Sequence, residues 1–165
     1  MPGDFNWNSS TETSGSAWSV FTGSGAGQAF DPVNAPGNWR DNSAFLRWHT
    51  NDPGAALDDR FDVQLISGEL FDGVGLDYVP GSYRVVGNNG THLLNQPITT
   101  GNGASSSVLS ALSRFSDHLP VIADYHVNWS SLTGASTTSV PEPSLTVVVL
   151  GLVTVGFSRR KRDHL

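Results

Sequence analysis

The apolar segments of this chain are short, and most have the composition of β-strands. "RFDVQLIS" (60–67) places apolar side chains at nearly alternate positions, and "LPVIADYHV" (119–127) is rich in Val and Ile. The best helix candidate is "SSSVLSALSRF" (105–115), where apolar residues recur at helical spacing after a Ser that can cap the first turn. These patterns predict a small domain that mixes several strands with few helices.

The rest of the body is less regular. "LDYVPGSYRVVG" (76–87) predicts short strands broken by a turn at Pro80-Gly81. Residues 7–56 are rich in Ser, Gly, Asn and Trp with weak periodicity, and they predict loops with short helical pieces. Together these segments favour one α+β domain over residues 1–127.

The body of the chain is acidic. Residues 1–140 contain five Arg, no Lys and thirteen Asp or Glu. Such a surface lacks the broad basic face that drives non-specific binding to nucleic acids, but it suits carboxylates arranged around a hard cation. The absence of Cys excludes disulfides and thiolate metal sites.

The C-terminal part has a different composition. Residues 128–144 are small, polar and punctuated by Pro, and they predict a flexible linker. Residues 145–157 are uncharged, and residues 159–162 are Arg-Arg-Lys-Arg. As a helix the apolar run would be about 20 Å long, short of the roughly 30 Å hydrocarbon core. It reads as a buried core element or as a membrane-associated helix, and the adjacent cations favour the membrane.

The order Pro141-Glu142-Pro143, apolar run, basic block resembles the PEP-CTERM sorting signal of bacterial surface proteins. The resemblance implies transient anchoring in the membrane through residues 145–157 and processing by an exosortase-type enzyme. It also implies export to the cell surface or the extracellular matrix. Such proteins normally carry a signal peptide, which the opening "MPGDFN" does not provide. We therefore expect Met1 to lie inside a longer, truncated reading frame.

Ionisable residues stand beside the predicted strands at three places. Asp4 and Asn6 are two residues apart in "GDFN", so on an extended segment they point to the same side. Asp62 stands near the start of one strand, and Asp117-His118 precedes another. Each alone is more typical of a turn or a strand edge than of a functional site.

In order, "GDFN", "DDRFDVQLIS" and "SDHLPVIADY" resemble the C-terminal half of the endonuclease/exonuclease/phosphatase superfamily, which has the deoxyribonuclease-I-like fold. The match spans residues 1–127, and residues 76–95 also resemble bacterial members. The resemblance implies part of a four-layered α/β/β/α sandwich and a hydrolase activity. That activity is divalent-metal-dependent cleavage of phosphodiesters or phosphomonoesters, in nucleic acid or small phosphoesters.

The resemblance also implies a role for each residue. His118 would act as a general base or a cationic stabiliser, and Asp62 would hydrogen-bond its ring. Asp4 would position or deprotonate the attacking water, while Asn6 would donate to a phosphate oxygen. Asp117 would bind the metal or a water on it. The implied cofactor is Mg²⁺, with Mn²⁺ or Ca²⁺ as alternatives.

Two further pairs are weaker candidates. Asn88 and Asn89 could bind substrate, although an Asn-Gly turn is the favoured interpretation. His49 and His92 could line the cleft, although exposed loop histidines are more common.

The family's N-terminal half supplies an early Asn, a metal-binding Glu and a further His or Tyr, and nothing here matches them. We therefore expect an uncovered apolar sheet face and weak or absent hydrolysis. The alternatives are a non-catalytic exported surface module and an unrelated secreted binding domain. A hydrogen bond between Asp62 and His118, with Asp4 and Asn6 in the same cleft, would separate the superfamily interpretations from the unrelated domain.

Overall fold

Short antiparallel strand pairs form the sheets of this protein in a computed structural model, which describes residues 2–11 and 16–129. Within those ranges the eight strands make four separate pairs rather than one continuous sheet. The pairs are β1 (Pro2–Asp4) with β3 (Asp62–Gln64), β2 (Ala29–Phe30) with β4 (Ile66–Ser67), β5 (Gly75–Tyr78) with β8 (Tyr125–Asn128), and β6 (Arg84–Val85) with β7 (Val121–Ile122).

The helices are also short. α1 spans Ala17–Thr22, α2 spans Ser106–Phe115, and 3₁₀ helices cover Ser43–Trp48, Gly68–Phe71 and Ile98–Thr100. The helix predicted at 105–115 is confirmed: the Ser105 hydroxyl accepts a hydrogen bond from the Val108 amide, and Leu109 is buried. The mixed α+β class is confirmed as well.

The predicted strands are each divided in two, because their halves pair with different partners. In 60–67, β3 pairs with β1 while β4 pairs with β2, and the buried Leu65 separates them. In 119–127, β7 pairs with β6 while β8 pairs with β5. The predicted turn at Pro80-Gly81 separates β5 from β6, with Gly81 in the left-handed region.

The weakly periodic segment before β3 supplies an aromatic core. Trp18 meets Trp7 and Trp39 edge to face, at ring-centroid distances of 5.2 and 4.9 Å. Such pairs contribute roughly 0.5–1.5 kcal/mol each beyond the area they bury. Two more clusters complete the core of the described residues: Leu57, Val85, Ile98, Leu109 and Leu119 in one, and Ile66, Tyr78 and Tyr83 in the other.

The fully buried Arg60 contacts two of these clusters, one through Trp39 and the other through Tyr83. Arg60 donates from Nη1 and Nη2 to the two carboxylate oxygens of Asp31, at 2.8 and 2.7 Å. Its guanidinium carbon lies 5.0 Å from the centre of the Trp39 ring and 5.8 Å from that of Tyr83. Burial lowers the pKa of Arg60, but the hydrogen bonds and charge of Asp31 outweigh this and raise it.

The β5–β8 pair leaves apolar side chains in solvent. Leu76 and Val127 are cross-strand partners, and both are exposed. Tyr125 is also exposed, as is Trp129 just after β8. This strand pair therefore presents apolar side chains to solvent, while the uncovered face of a larger two-sheet sandwich stays a prediction.

The sorting-signal predictions lie outside the described residues. This applies to the linker from residue 130 onward, to Pro141-Glu142-Pro143, to the apolar run 145–157 and to the basic block 159–162. Among the helices of the described ranges, none combines the length and the apolar character needed to cross a bilayer.

We expect Arg60→Met to lower the free energy of unfolding by about 3–5 kcal/mol, because the buried Asp31 carboxylate would lose its cationic partner while it keeps the backbone amides of Val33 and Ala35 as donors. Urea denaturation monitored by tryptophan fluorescence measures this change. Arg40→Met is the matched control: its pair with Asp41 spans 3.8 Å between two exposed side chains, so the loss should stay below about 1 kcal/mol. Equal losses in the two variants would contradict a structural role for the buried pair.

Candidate functional site

The pairing of β1 with β3 brings two acidic residues together. Its register places Asp4 directly opposite Asp62. The pairing continues one residue further, where the Phe5 amide donates to the Phe61 carbonyl at 2.9 Å. Cross-strand partners have Cβ atoms about 4.5–5.5 Å apart, so this register sets two carboxylates beside each other.

Thr50 connects this strand pair to the segment that carries His118. Its hydroxyl accepts hydrogen bonds from the backbone amides of Phe61 and Asp62, both at 3.1 Å. Its carbonyl accepts from the Leu119 amide at 2.8 Å. One buried residue therefore fixes the backbone on both sides of the site. Nothing in the sequence around Thr50 marks it for this role, because both contacts are long-range.

His118 lies between the two carboxylates. Its Nδ1 is 2.6 Å from Oδ2 of Asp62, and its Nε2 is 4.0 Å from Oδ2 of Asp4. Each of the three side chains offers a ligand atom within 4.8 Å of the others, and we refer to Asp4, Asp62 and His118 as the Asp–His cluster. The Asp62 side chain is 16% exposed and that of Asp4 is 44% exposed, so the cluster has a sheltered side and an open side.

The electrostatics of the cluster favour a charged imidazole. Burial lowers the pKa of His118, but the hydrogen bond with Asp62 and the charges of Asp62, Asp4 and Asp117 outweigh it, so the pKa is raised. A carboxylate only accepts hydrogen bonds, so a neutral His118 would keep its proton on Nδ1. Its Nε2 lone pair would then face the open side of the cluster.

Asn6 contacts Asp4, but not in the expected conformation. Its backbone has φ of +52°, so the predicted extended segment is wrong at this residue. Asn tolerates this left-handed conformation better than most residues do. Both its backbone amide and its Nδ2 donate to Oδ1 of Asp4, at 3.2 and 2.9 Å. Asn6 therefore orients the Asp4 carboxylate, and its amide is partly occupied in doing so.

Asp117 lies beside the cluster rather than in it. Its side chain is exposed, and Oδ1 accepts from the Ser116 hydroxyl at 3.3 Å. Its carbonyl accepts from the Asp52 amide at 2.7 Å, which fixes the backbone before His118. The structure thus gives the predicted metal ligand an open position with no fixed contact to Asp4 or Asp62.

Asn88 has a structural use. It is buried, and its Nδ2 donates to the carbonyls of Leu46 and His49 at 2.8 and 2.9 Å. Its Oδ1 accepts from the amide of Gly90, which has φ of +84°. These contacts are those of an Asn-x-Gly turn, so they leave the side chain of Asn88 little capacity for a substrate.

Asn89 is exposed and bonded to neighbouring loops. Its Nδ2 donates to Oδ1 of Asn102 at 3.0 Å, and its Oδ1 accepts from the amide and hydroxyl of Thr91. Neither Asn88 nor Asn89 is part of the Asp–His cluster.

The two loop histidines are buried, which corrects the expectation that they are exposed. Nε2 of His49 is 3.1 Å from the Trp39 carbonyl, and Nε2 of His92 is 3.2 Å from the Leu57 carbonyl. Their ring centroids are 6.0 Å apart. Burial lowers the pKa of His49 to about 4 and also lowers that of His92. As neutral rings they bind the backbone carbonyls of Trp39 and Leu57.

A scan against protein-family models, a search of curated proteins and a search of solved structures each find no match to this chain. The superfamily interpretation therefore depends on the motifs and on the geometry of the Asp–His cluster.

We expect Asp62→Asn to lower the pKa of His118, because the variant loses the carboxylate that stabilises the imidazolium while the burial remains. Long-range ¹H–¹⁵N NMR titration of the imidazole nitrogens measures this pKa directly. Asp117→Asn should lower it less, since Asp117 acts only through its charge. An unchanged His118 titration in Asp62→Asn would mean that the 2.6 Å contact does not hold the proton.

We expect acid to weaken the fold through His49. Between pH 6.5 and about 4 the unfolded chain binds a proton at this ring and the folded chain does not. His49 therefore lowers the free energy of unfolding by about 1.4 kcal/mol for each pH unit as the pH falls through this window. The difference in free energy of unfolding between the wild type and His49→Gln should therefore shrink as the pH falls. Urea denaturation at several pH values measures this difference.

The comparison with His49→Gln is needed because Asp59 acts in the opposite direction. Burial, and secondarily the charge of Asp58, raises the pKa of Asp59 to about 6. The folded chain then binds more protons than the unfolded chain between pH 3.8 and 6, so this group adds stability as the pH falls. A constant difference between wild type and His49→Gln over the window would contradict a neutral buried His49.

Proposed function

We propose that this chain is the C-terminal part of a metal-dependent phosphoesterase or nuclease of the endonuclease/exonuclease/phosphatase superfamily. The observation that carries the proposal is the 2.6 Å contact between His118 and Asp62, with Asp4 on the other side of the imidazole. The residues come from motifs more than fifty positions apart, in the order typical of the superfamily.

The cluster has several of the groups that hydrolysis of a phosphate ester uses. Asp62 orients the imidazole and favours its charged form, as an orienting carboxylate does in a triad. A charged His118 stabilises negative charge on phosphate oxygens, and a neutral His118 accepts a proton at Nε2. The carboxylate of Asp4 is oriented by Asn6, and its Oδ2 lies near Nε2 of His118. There it can accept a hydrogen bond from a water and position it.

The donor set fits a hydrated divalent cation of the Mg²⁺ type. Such ions bind through one or two carboxylates and keep several waters, and Asp4 offers an exposed carboxylate oxygen within the Asp–His cluster, while Asp117 lies outside it. Asp62 is less available because its Oδ2 is bonded to His118. When bound, the cation supplies charge neutralisation at the phosphate.

The two sequence resemblances also imply a fold, a location and a class of substrate. The described strand pairs would belong to one part of a four-layered sandwich, and the sorting signal would export the protein to a bacterial cell surface. The substrate would be nucleic acid or a small phosphoester. The acidic body disfavours tight binding to duplex DNA.

A non-catalytic surface module is the second candidate. It is favoured by the hydrogen bond between the Asn6 side-chain amide and Asp4, which occupies a group expected to contact phosphate. In that case the cluster would persist as a structural ion pair.

The test is hydrolysis of bis-p-nitrophenyl phosphate and of plasmid DNA by the purified chain with Mg²⁺ or Mn²⁺. We expect slow turnover that EDTA abolishes and that His118→Ala reduces by about 10²–10⁴-fold, the range for loss of a general acid–base group.

His126→Ala is the matched control, because His126 is an exposed histidine on β8 outside the Asp–His cluster. This variant should keep most of the activity. Turnover that survives in His118→Ala would contradict the assigned chemistry. No turnover with either metal would favour the non-catalytic module.

A further inference from the structure

A cleft with a volume of about 370 Å³ lies beside the β6–β7 pair. Two arginines, Arg47 and Arg84, line it, and the backbone of Gly87 and Gly103 forms part of its wall. No acidic residue lines this cleft. Since residues 1–140 contain five arginines against thirteen acidic residues, two arginines in one acid-free cleft make a local positive site in an acidic body.

Arg47 is an exposed cation that has no carboxylate partner among the described residues. Its guanidinium carbon lies 4.6 Å from the centre of the Trp48 ring, a cation–π contact. The backbone is fixed, because the Leu46 carbonyl accepts from Nδ2 of Asn88 at 2.8 Å. Among residues 2–11 and 16–129, no carboxylate lies within ion-pair distance of Arg47.

Arg84 enters the cleft from β6. Its Nη1 donates to the Ser82 carbonyl at 2.9 Å and to Asp124 at 3.4 Å. Both partners of this ion pair are more than half exposed, so the pair contributes little and a bound anion can replace it. Ile122, the cross-strand partner of Arg84, forms another part of the same wall.

We propose that this cleft binds a phosphate group between Arg47 and Arg84. A phosphate dianion matches two guanidinium groups in charge, and its oxygens accept the paired N–H bonds that arginine presents. This site uses residues separate from the Asp–His cluster and does not depend on hydrolysis there.

The test is a ¹H–¹⁵N NMR titration of the full chain with inorganic phosphate, in EDTA and at ionic strength held constant with chloride. We expect saturable shifts at the amides of Gly87, Asn89 and Gly103. Arg47→Gln should weaken the apparent affinity by about tenfold, the effect of losing one charge-assisted contact. Arg40→Gln, which removes an exposed arginine outside the cleft, should leave the affinity unchanged.

His118→Ala separates this site from the Asp–His cluster. The proposal requires that this variant binds phosphate as the wild type does, whether or not the chain hydrolyses esters. The proposal fails if the shifts do not saturate, if Arg40→Gln weakens binding as much as Arg47→Gln, or if binding is lost only in His118→Ala.

Discussion

The buried ion pair between Arg60 and Asp31 is the contact on which the site most depends. Arg60 is fully buried two residues before Asp62, and its bidentate contact fixes that backbone against the loop after β2. Tyr83, whose ring lies near the guanidinium, donates its hydroxyl to the Asp62 carbonyl at 3.2 Å. A charge buried this deeply is tolerated only with a well-placed partner, so the pair strongly selects one arrangement of these segments.

The Asp–His cluster is built on that arrangement by backbone contacts. Thr50 bonds to the amide of Asp62 through its hydroxyl and to the amide of Leu119 through its carbonyl. The antiparallel register then sets Asp4 opposite Asp62. Each functional side chain is thus adjacent to a backbone group that is fixed by a residue distant in sequence, which keeps His118 close to both carboxylates.

The protein places its few cations unevenly within an acidic body. Arg60 is neutralised inside the core, while Arg47 is left without a carboxylate partner in the described part of the chain. The raised pKa of His118 favours the protonated imidazole, which places a positive charge between the carboxylates of Asp4 and Asp62. The described surface therefore offers two different electrostatic environments: a cleft with two arginines, and a cluster that pairs an imidazole with carboxylates.

The sequence by itself determined the local features: the α2 helix with its Ser105 cap, the Pro80-Gly81 turn, and the motifs that supply Asp4, Asp62 and His118. These follow from side-chain spacing and turn chemistry, which act over a few residues. Only the tertiary structure decided that the strand-like runs divide between partners, that Asn6 turns back onto Asp4, that the loop histidines are buried, and that Thr50 joins the site. Those outcomes depend on long-range hydrogen bonds and burial, for which no local pattern carries a signal.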